Sequence, residues 1–196
     1  MLEKCREKRV CLNPYKSLFG ASKGMLLGHV VSEKGIEMAT DKVKAILEAV
    51  APTNVNEIAS FLGYVNFYRR FIEKLAEWAS PIYALTKKDV QYIWTKECQR
   101  GFEEIKRMIA QKPILRQPKW DEIFHVHVDA SNLALGAILA QPEGEIDFPL
   151  YFASRRFSNA KTAYTTTERE ALGMVYAIPK FRHYQLGNSF IFYVYH

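Results

Sequence analysis

The sequence predicts a mixed architecture, an α+β part followed by an α/β part, built from three successive pieces. Short apolar runs separated by turn residues fill the first forty positions, which is typical of a small β-meander. Apolar residues then recur at helical spacing up to about residue 112, as in a bundle of three to four helices. Beyond residue 123 the pattern alternates as in strands, with one long helical stretch, which predicts a mixed sheet with one helix.

The composition indicates a folded chain without a membrane segment. Hydrophobic residues make up 48% of the 196 positions and aromatic residues 13%, enough to build a core. No apolar run approaches the roughly 18 residues of a membrane-spanning helix, and the charged start MLEKCREKRV lacks the apolar stretch of a signal peptide. We therefore expect a cytoplasmic or nuclear protein that is not secreted. Cys5, Cys11 and Cys98 lack metal-ligand spacing, which predicts reduced thiols.

Charge divides the chain into two regions. Residues 1–120 hold 21 Lys and Arg against 13 Asp and Glu, a net charge of +8, whereas residues 121–196 hold 6 against 8, a net charge of −2. A basic first region favours contact with a polyanion such as a nucleic acid, although lysine-rich helical surfaces are also common without such a partner. The second region carries acidic residues that could need a cation.

The first two pieces have recognisable boundaries. Residues 1–39 are predicted to end a helix and then form the meander, with a tight turn at Gly35. Residues 40–112 are predicted to be helices joined by short polar breaks. Pro81 suits the first position of a new short helix, and Thr95 can open the last one by capping it.

Residues 113–122 are predicted to be a linker, because Pro113 and Pro118 both forbid helix continuation. In the third piece, residues 123–196, the strings IFHVHVD, ALGAILAQ and PLYFASRRF predict three strands in sequence, and NSFIFYVYH predicts a fourth. A helix precedes the fourth strand, so that strand is expected to pair in parallel through a crossover.

The crossover helix is predicted from about Thr166 to Phe181. Pro179 falls late in this stretch, where a proline removes one backbone amide and crowds the preceding turn. We therefore expect Pro179 to kink or end the helix.

Two carboxylate positions are candidates for metal binding. Asp129 ends an alternating strand, where it could present oxygen ligands to a divalent cation; a turn aspartate bonded to nearby amides is the alternative. Glu168 and Glu170 lie in the first turns of the predicted helix, where the helix dipole favours negative charge whatever the function. Periodicity alone does not choose between the two glutamates.

A histidine pair lies on the same strand as Asp129. His125, His127 and Asp129 alternate on one face at a spacing that can bind zinc. In a strand covered by helices, histidines more often pack or form hydrogen bonds, and we expect that role here.

The helix FLGYVNFYRRFI combines aromatic residues with Arg69 and Arg70. Aromatic and guanidinium groups side by side suit contact with sugars and phosphates, although an aromatic stripe at helical spacing also serves a core. The two arginines are not expected to point inward together, so at least one should reach solvent or phosphate.

A series of strings runs in one order through essentially the whole chain: LNPYKSLFG, LLGHVVSEKGIEMATDKVKAI, FLGYVNFYRRFI, FEEIKRMIAQKPIL, VDASNLALGAILAQ, YTTTEREALGMVYA and FRHYQLGNSFIFYV. Together they resemble the reverse transcriptase–ribonuclease H region of gypsy-type LTR retrotransposon Pol polyproteins. The resemblance implies that residues 1–39 are the end of the palm with its primer-grip-like hairpin. It further implies that residues 40–112 are thumb and connection helices and residues 123–196 a truncated ribonuclease H-like domain.

The resemblance also implies roles for individual residues. In the intact family the ribonuclease H site cleaves the RNA of RNA–DNA hybrids with two Mg²⁺ ions, and Asp129 and Glu170 match its first strand carboxylate and its helix carboxylate. The implied partners are an RNA–DNA hybrid or a DNA duplex, together with other parts of the Pol polyprotein. The thumb residues expected to bind the duplex are Asn66, Arg69, Arg70 and Lys74.

The sequence departs from the family pattern at decisive positions. Tyr195 stands where the family has its next metal-binding aspartate, and a phenol is neutral at pH 7 and a poor Mg²⁺ ligand. No Y-x-D-D-like aspartate pair for polymerisation occurs, and the chain stops at His196 before the last carboxylate of the family site. We therefore expect a catalytically incomplete fragment. The alternatives are a ribonuclease H completed by a partner chain and a non-catalytic duplex-binding protein derived from the element.

Overall fold

A computed structural model describes residues 2–17, 19–111, 113–158 and 164–194. The elements in these ranges are, in chain order, α1 (Leu2–Glu7), β1 (Lys23–Leu26), β2 (His29–Ser32), β3 (Gly35–Met38), α2 (Thr40–Glu48), α3 (Val55–Phe67), a 3-10 turn (Arg69–Phe71), α4 (Leu75–Trp78), α5 (Ser80–Ala84), α6 (Lys96–Ala110), β4 (Phe124–Ala130), β5 (Ala134–Glu143), β6 (Ile146–Arg156), α7 (Thr166–Gln185) and β7 (Phe190–Val194). The predicted fold class is confirmed: a β-meander, a helical bundle, and a mixed sheet with one long helix.

The three strands β1, β2 and β3 form an antiparallel meander. Leu27 and Gly28 both have positive φ, 47° and 74°, the backbone geometry that matches the twist of a two-residue hairpin. On its other edge, β3 pairs with the chain that follows the bundle: the Ile36 amide donates to the Leu115 carbonyl at 2.8 Å and the Leu115 amide donates back at 3.0 Å. Leu115 is fully buried, so this segment is fixed to the meander.

The helices α2 to α6 surround the first hydrophobic core, and their starts follow the sequence signals. The Asn54 side chain accepts the amide of Glu57 at the start of α3, and the Thr95 hydroxyl accepts the amide of Cys98 at the start of α6. Pro81 lies in the first turn of α5, as predicted. Fully buried side chains of this core include Ile46, Ile58, Tyr68, Phe71, Ile72, Ile82, Ile105 and Ile109.

The second core lies between α7 and a sheet with strand order β6-β5-β4-β7. β4, β5 and β6 pair antiparallel, and β7 returns parallel to β4 after the crossover helix, as predicted. A Cβ atom added at Gly173 would lie 2.3 Å from the Val128 side chain, so α7 sits directly against β4. This contact shows that Val128 points toward α7, and strand alternation then directs Asp129 toward the opposite face.

Of the two outcomes expected for Pro179, a kink or an end of the helix, the end does not occur, since α7 continues to Gln185. Pro179 and Val175, whose carbonyl loses its helical donor, both lie on the exposed side of α7, where water can satisfy that carbonyl. The neighbouring buried residues Ala177 and Phe181 pack on the sheet and hold the helix in place. None of the described helices combines the length and the apolar character needed to cross a membrane.

The other face of the sheet is covered by the segment from the 3-10 turn to α4. At Ser154 of β6, the backbone carbonyl accepts a hydrogen bond from Arg69 at 2.9 Å and another from the Tyr176 hydroxyl of α7 at 3.2 Å. The hydroxyl of the same serine accepts the amide of Ala76 at 2.9 Å. Ser154 is buried, and it joins the helical bundle, the sheet and the crossover helix at one point.

Candidate functional site

Asp129 lies near the end of β4 and forms an ion pair with Lys74, which precedes α4. The distance between Lys74 Nζ and Asp129 Oδ2 is 2.5 Å, and both side chains are about two-fifths exposed. The hydrogen bond to Asp129 raises the pKa of the Lys74 ammonium above its ordinary value, against the opposing effect of burial. A residue predicted to bind nucleic acid thus contacts a residue predicted to bind metal.

The structure distinguishes Glu168 from Glu170, between which helical periodicity alone did not choose. Glu168 completes a capping box at the start of α7: its carboxylate accepts the backbone amide of Thr165 at 2.8 Å, and the Thr165 hydroxyl accepts the amide of Glu168. The backbone amide and the hydroxyl of Thr165 both donate to the Glu168 carboxylate, and these two hydrogen bonds lower the pKa of Glu168. Glu170 is only 4% exposed and lies one turn before Gly173, on the face of α7 that packs against the sheet.

Tyr195, which stands at the family's aspartate position, lies outside the described residues. The last described pair of the β4–β7 ladder joins Val128 to Val194.

The residues predicted to bind a duplex make contacts within the chain. Asn66 donates to the hydroxyl of Tyr83, and Arg69 donates to the Ser154 carbonyl. The Arg70 guanidinium lies 4.9 Å from the centre of the Tyr151 ring. Both arginines therefore contact β6, because the 3-10 turn after α3 packs against this strand. Both are half-buried, and the expectation that at least one of them reaches solvent or phosphate stays a prediction.

An exposed aromatic surface lies instead on α3. Tyr64 and Phe67 are 48% and 53% exposed, while Phe61, Val65 and other residues of the same helix face the core. A cavity of about 480 Å³ opens beside them, and Lys42 lies 5.9 Å from the centre of the Tyr64 ring. The sequence carries a signal for this surface, because Tyr64 and Phe67 fall outside the apolar stripe of the helix.

His125 and His127 form hydrogen bonds to Asp147, a residue that sequence reasoning missed. The His125 Nδ1 atom lies 2.8 Å from one carboxylate oxygen, and His127 Nε2 lies 2.6 Å from the same oxygen. Burial acts to raise the pKa of Asp147, but the two hydrogen bonds outweigh it and the pKa lies below its ordinary value. No local pattern could reveal this contact, since Asp147 comes from β6 and meets the histidines across β5.

The sheet is mixed, with three antiparallel strands and one parallel strand, and the inward face of the crossover helix carries Glu170. This arrangement defines a ribonuclease H-like domain. Residues 94–192 match the family model described as the RNase H-like domain found in reverse transcriptase. The chain belongs to this family.

Similar proteins are polyproteins of retrotransposons. The chain is 34% identical over 187 residues to the retrovirus-related Pol polyprotein from transposon 412 and 38% identical over 177 residues to that from transposon 297, both of Drosophila melanogaster. It is 30% identical over 185 residues to the Tf2-3 polyprotein of Schizosaccharomyces pombe. These matches cover 95%, 90% and 94% of this chain but only 15%, 16% and 14% of the relatives. The resemblance inferred from the sequence motifs is confirmed.

Solved structures of a foamy viral protease–reverse transcriptase share the fold. The complex with RNA/DNA hybrid matches with a TM-score of 0.77 at 25% identity, over 92% of this chain and 25% of that chain. The complex with double-stranded DNA matches with a TM-score of 0.74 at 25% identity, over 89% of this chain and 37% of that chain.

Proposed function

We propose that this chain is the part of a retrotransposon reverse transcriptase/ribonuclease H that holds a nucleic-acid duplex, and that it does not complete a ribonuclease H site by itself. The observation that carries the proposal is the ion pair between Lys74 and Asp129. A protein ammonium group there takes the position in which a metal cation would balance the charge of Asp129.

The described residues do not fit a pair of Mg²⁺ ions. Each Mg²⁺ ion requires about six oxygen ligands, and a site for two ions needs several carboxylates that converge. Asp129 is engaged by Lys74 and leaves β4 on the face opposite α7, whereas Glu170 lies on α7. At Tyr195 the sequence offers a neutral phenol. A single weakly held Mg²⁺ at Asp129, in place of Lys74, is the most that these residues support.

Duplex binding rests on the exposed face of α3. Tyr64 and Phe67 offer aromatic surface to sugar or base faces, and the neighbouring Lys42 offers a cation to phosphate. The similar reverse transcriptases were solved with RNA/DNA hybrid and with double-stranded DNA, which supports a duplex as the partner. Asn66, Arg69, Arg70 and Lys74 would act mainly by positioning this face, because each already has a contact within the chain.

The proposed division of the chain follows from these assignments. Residues 1–39 form the end of the palm, residues 40–112 the thumb and connection helices, residues 113–122 the linker, and residues 123–196 the ribonuclease H-like part. Other parts of the Pol polyprotein are the proposed protein partners, and a duplex substrate implies action in the cytoplasm or the nucleus.

A cleavage assay tests the catalytic half of the proposal. The purified chain is incubated with a labelled RNA–DNA hybrid and Mg²⁺, beside its Tyr195→Asp and Asp129→Asn variants. We expect no cleavage by the unaltered chain beyond the level of Asp129→Asn. Cleavage by the unaltered chain that is lost in Asp129→Asn would overturn the proposal and favour a working ribonuclease H.

A binding assay tests the other half. Fluorescence anisotropy of a labelled hybrid should show binding that weakens steeply with salt, because lysines release counterions from the phosphates. Replacing Tyr64 and Phe67 by alanine should weaken binding by roughly 1–3 kcal/mol per stacked group. Tyr15→Ala is the matched control, since Tyr15 is also an exposed aromatic residue but is not part of α3. Equal losses in both variants would exclude α3 as the contact surface.

A further inference from the structure

A cluster of two imidazoles and one carboxylate lies on the face of the sheet opposite α7. His125 and His127 are two residues apart on β4, and Asp147 reaches them from β6 across Ala140 of β5, whose small side chain leaves the path open. One ligand atom from each of the three side chains lies within 4.8 Å of the other two. We propose that His125, His127 and Asp147 bind one transition-metal cation, with Zn²⁺ as the best match.

The distances suit a tetrahedral ion. Zinc bonds of about 2.0–2.2 Å place neighbouring ligand atoms roughly 3.4 Å apart. The ring nitrogens now lie 2.8 Å and 2.6 Å from a carboxylate oxygen, so they need to withdraw by less than about 1 Å to admit the ion. Binding replaces the hydrogen bonds between the rings and the carboxylate. The proton on each ligating nitrogen moves through solvent to the other nitrogen of the same ring, so both histidines bind the ion as neutral imidazoles.

The chemistry of the donors selects the ion. Two imidazole nitrogens and one carboxylate oxygen are the ligand types that zinc and its first-row neighbours prefer, whereas Mg²⁺ and Ca²⁺ prefer oxygen alone. This site is therefore distinct in kind from an oxygen-only site at Asp129. One carboxylate leaves a divalent ion with a net positive charge, and Lys74 lines the same cavity as His127 and Asp147.

The cluster is held in place and has one open side. The side chains of His125 and His127 are 12% and 16% exposed, and Asp147 is 25% exposed. The Tyr193 ring stacks on His127, with ring centres 4.9 Å apart and planes inclined by 14°. A cavity of about 450 Å³ borders His127 and Asp147, so a fourth ligand such as water can reach the ion. Three protein ligands with one open position make the site suited to exchange of a small ligand.

The test titrates Zn²⁺ into the purified full chain by calorimetry. Cys5 and Cys11 are not buried and bind zinc as thiolates, so Cys5→Ser/Cys11→Ser serves as the parent chain. We expect one zinc ion per chain. Asp147→Asn and the double variant His125→Gln/His127→Gln should each lose more than about tenfold in affinity. His183→Gln is the matched control, because His183 is an exposed histidine on α7.

Two results would overturn the proposal: no zinc binding by the parent chain, or the same affinity in Asp147→Asn as in His183→Gln. Because the substitutions also remove hydrogen bonds within the sheet, a second measurement uses the parent chain alone. X-ray absorption at the zinc edge should show two imidazole ligands per ion, and a coordination shell without imidazole contradicts the site. Neither measurement involves hybrid cleavage or duplex binding, so its outcome is independent of the proposed function.

Discussion

The ammonium of Lys74 lies 2.5 Å from a carboxylate oxygen of Asp129, and this pair joins the helical bundle to the end of β4, one of the two inner strands of the sheet. Lys74 has a left-handed backbone, with φ of 50°, at the start of α4. Its side chain also packs 3.7 Å from the position that a Cβ atom at Gly136 would take. A cation that binds Asp129 must therefore compete with a lysine that the fold has already placed there.

Replacing Lys74 by glutamine should strengthen divalent-cation binding at Asp129. Removing one nearby positive charge at a partly exposed site is worth on the order of 1 kcal/mol, or roughly fivefold in affinity. Mn²⁺ titration followed by electron paramagnetic resonance measures the change. Lys87→Gln, which removes an exposed lysine elsewhere, is the control. An increase that persists when Asp129 is also changed to asparagine would show that another site is responsible.

Arg69→Ala should destabilise the fold more than it weakens duplex binding. The substitution removes a charged hydrogen bond to the partly buried Ser154 carbonyl, which is worth about 1.5–3 kcal/mol. Urea unfolding followed by circular dichroism measures the loss, and anisotropy under folded conditions measures binding. Lys88→Ala, an exposed cation of the same bundle, should leave stability nearly unchanged. A stable Arg69→Ala chain with strongly reduced affinity would instead assign Arg69 to the duplex.

Gly173→Ala should cost about 1–3 kcal/mol of unfolding free energy through overpacking. The added methyl group would lie 2.3 Å from the Val128 side chain, so helix and strand must separate. Val128→Ala in the same chain should recover part of the loss by making room. Gly63→Ala is the control: its methyl group meets nothing within 4 Å, and alanine there should stabilise α3 by up to about 1 kcal/mol.

Glu168→Gln should destabilise the chain at neutral pH and make little difference in acid. Hydrogen bonds from Thr165 hold the pKa of Glu168 below its ordinary value of 4.5, so the charged carboxylate stabilises the fold above that value. That contribution falls away as the pH drops through the lowered pKa of the folded state. Urea unfolding of both chains at pH 7 and pH 3 compares them, and a difference that grows toward acid pH would contradict the capping role.

Local features of the fold could be predicted from the sequence, whereas contacts between distant segments could not. Pro81 and Thr95 mark helix starts through their own backbone and side-chain chemistry, and the order of strands and helix after residue 123 fixes the parallel return of β7. The continuation of α7 past Pro179 depends on which side of the helix faces water. That side is set by packing and not by the proline itself.

The candidate site shows the same limit. The position of Asp129 at a strand end and of Glu170 in the first turns of a helix follows from local pattern. Asp129 pairs with Lys74, which lies 55 positions earlier in the sequence, and His125 meets Asp147 across an intervening strand. Both contacts form only when the sheet is assembled and covered by the helical bundle. Pairing of this kind leaves no periodic signal in the sequence.

The hydrogen bonds at Ser154 have a consequence for how the chain unfolds. The carbonyl of this one residue accepts donors from the bundle and from the crossover helix, and its hydroxyl accepts a third from the start of α4. Unfolding of the bundle or of α7 leaves a buried polar group at Ser154 without one of its hydrogen-bond partners. Unfolding of one part therefore destabilises the other. Amide hydrogens of α6 and of β5 should accordingly exchange with solvent through one shared opening event, as expected of a single cooperative unit.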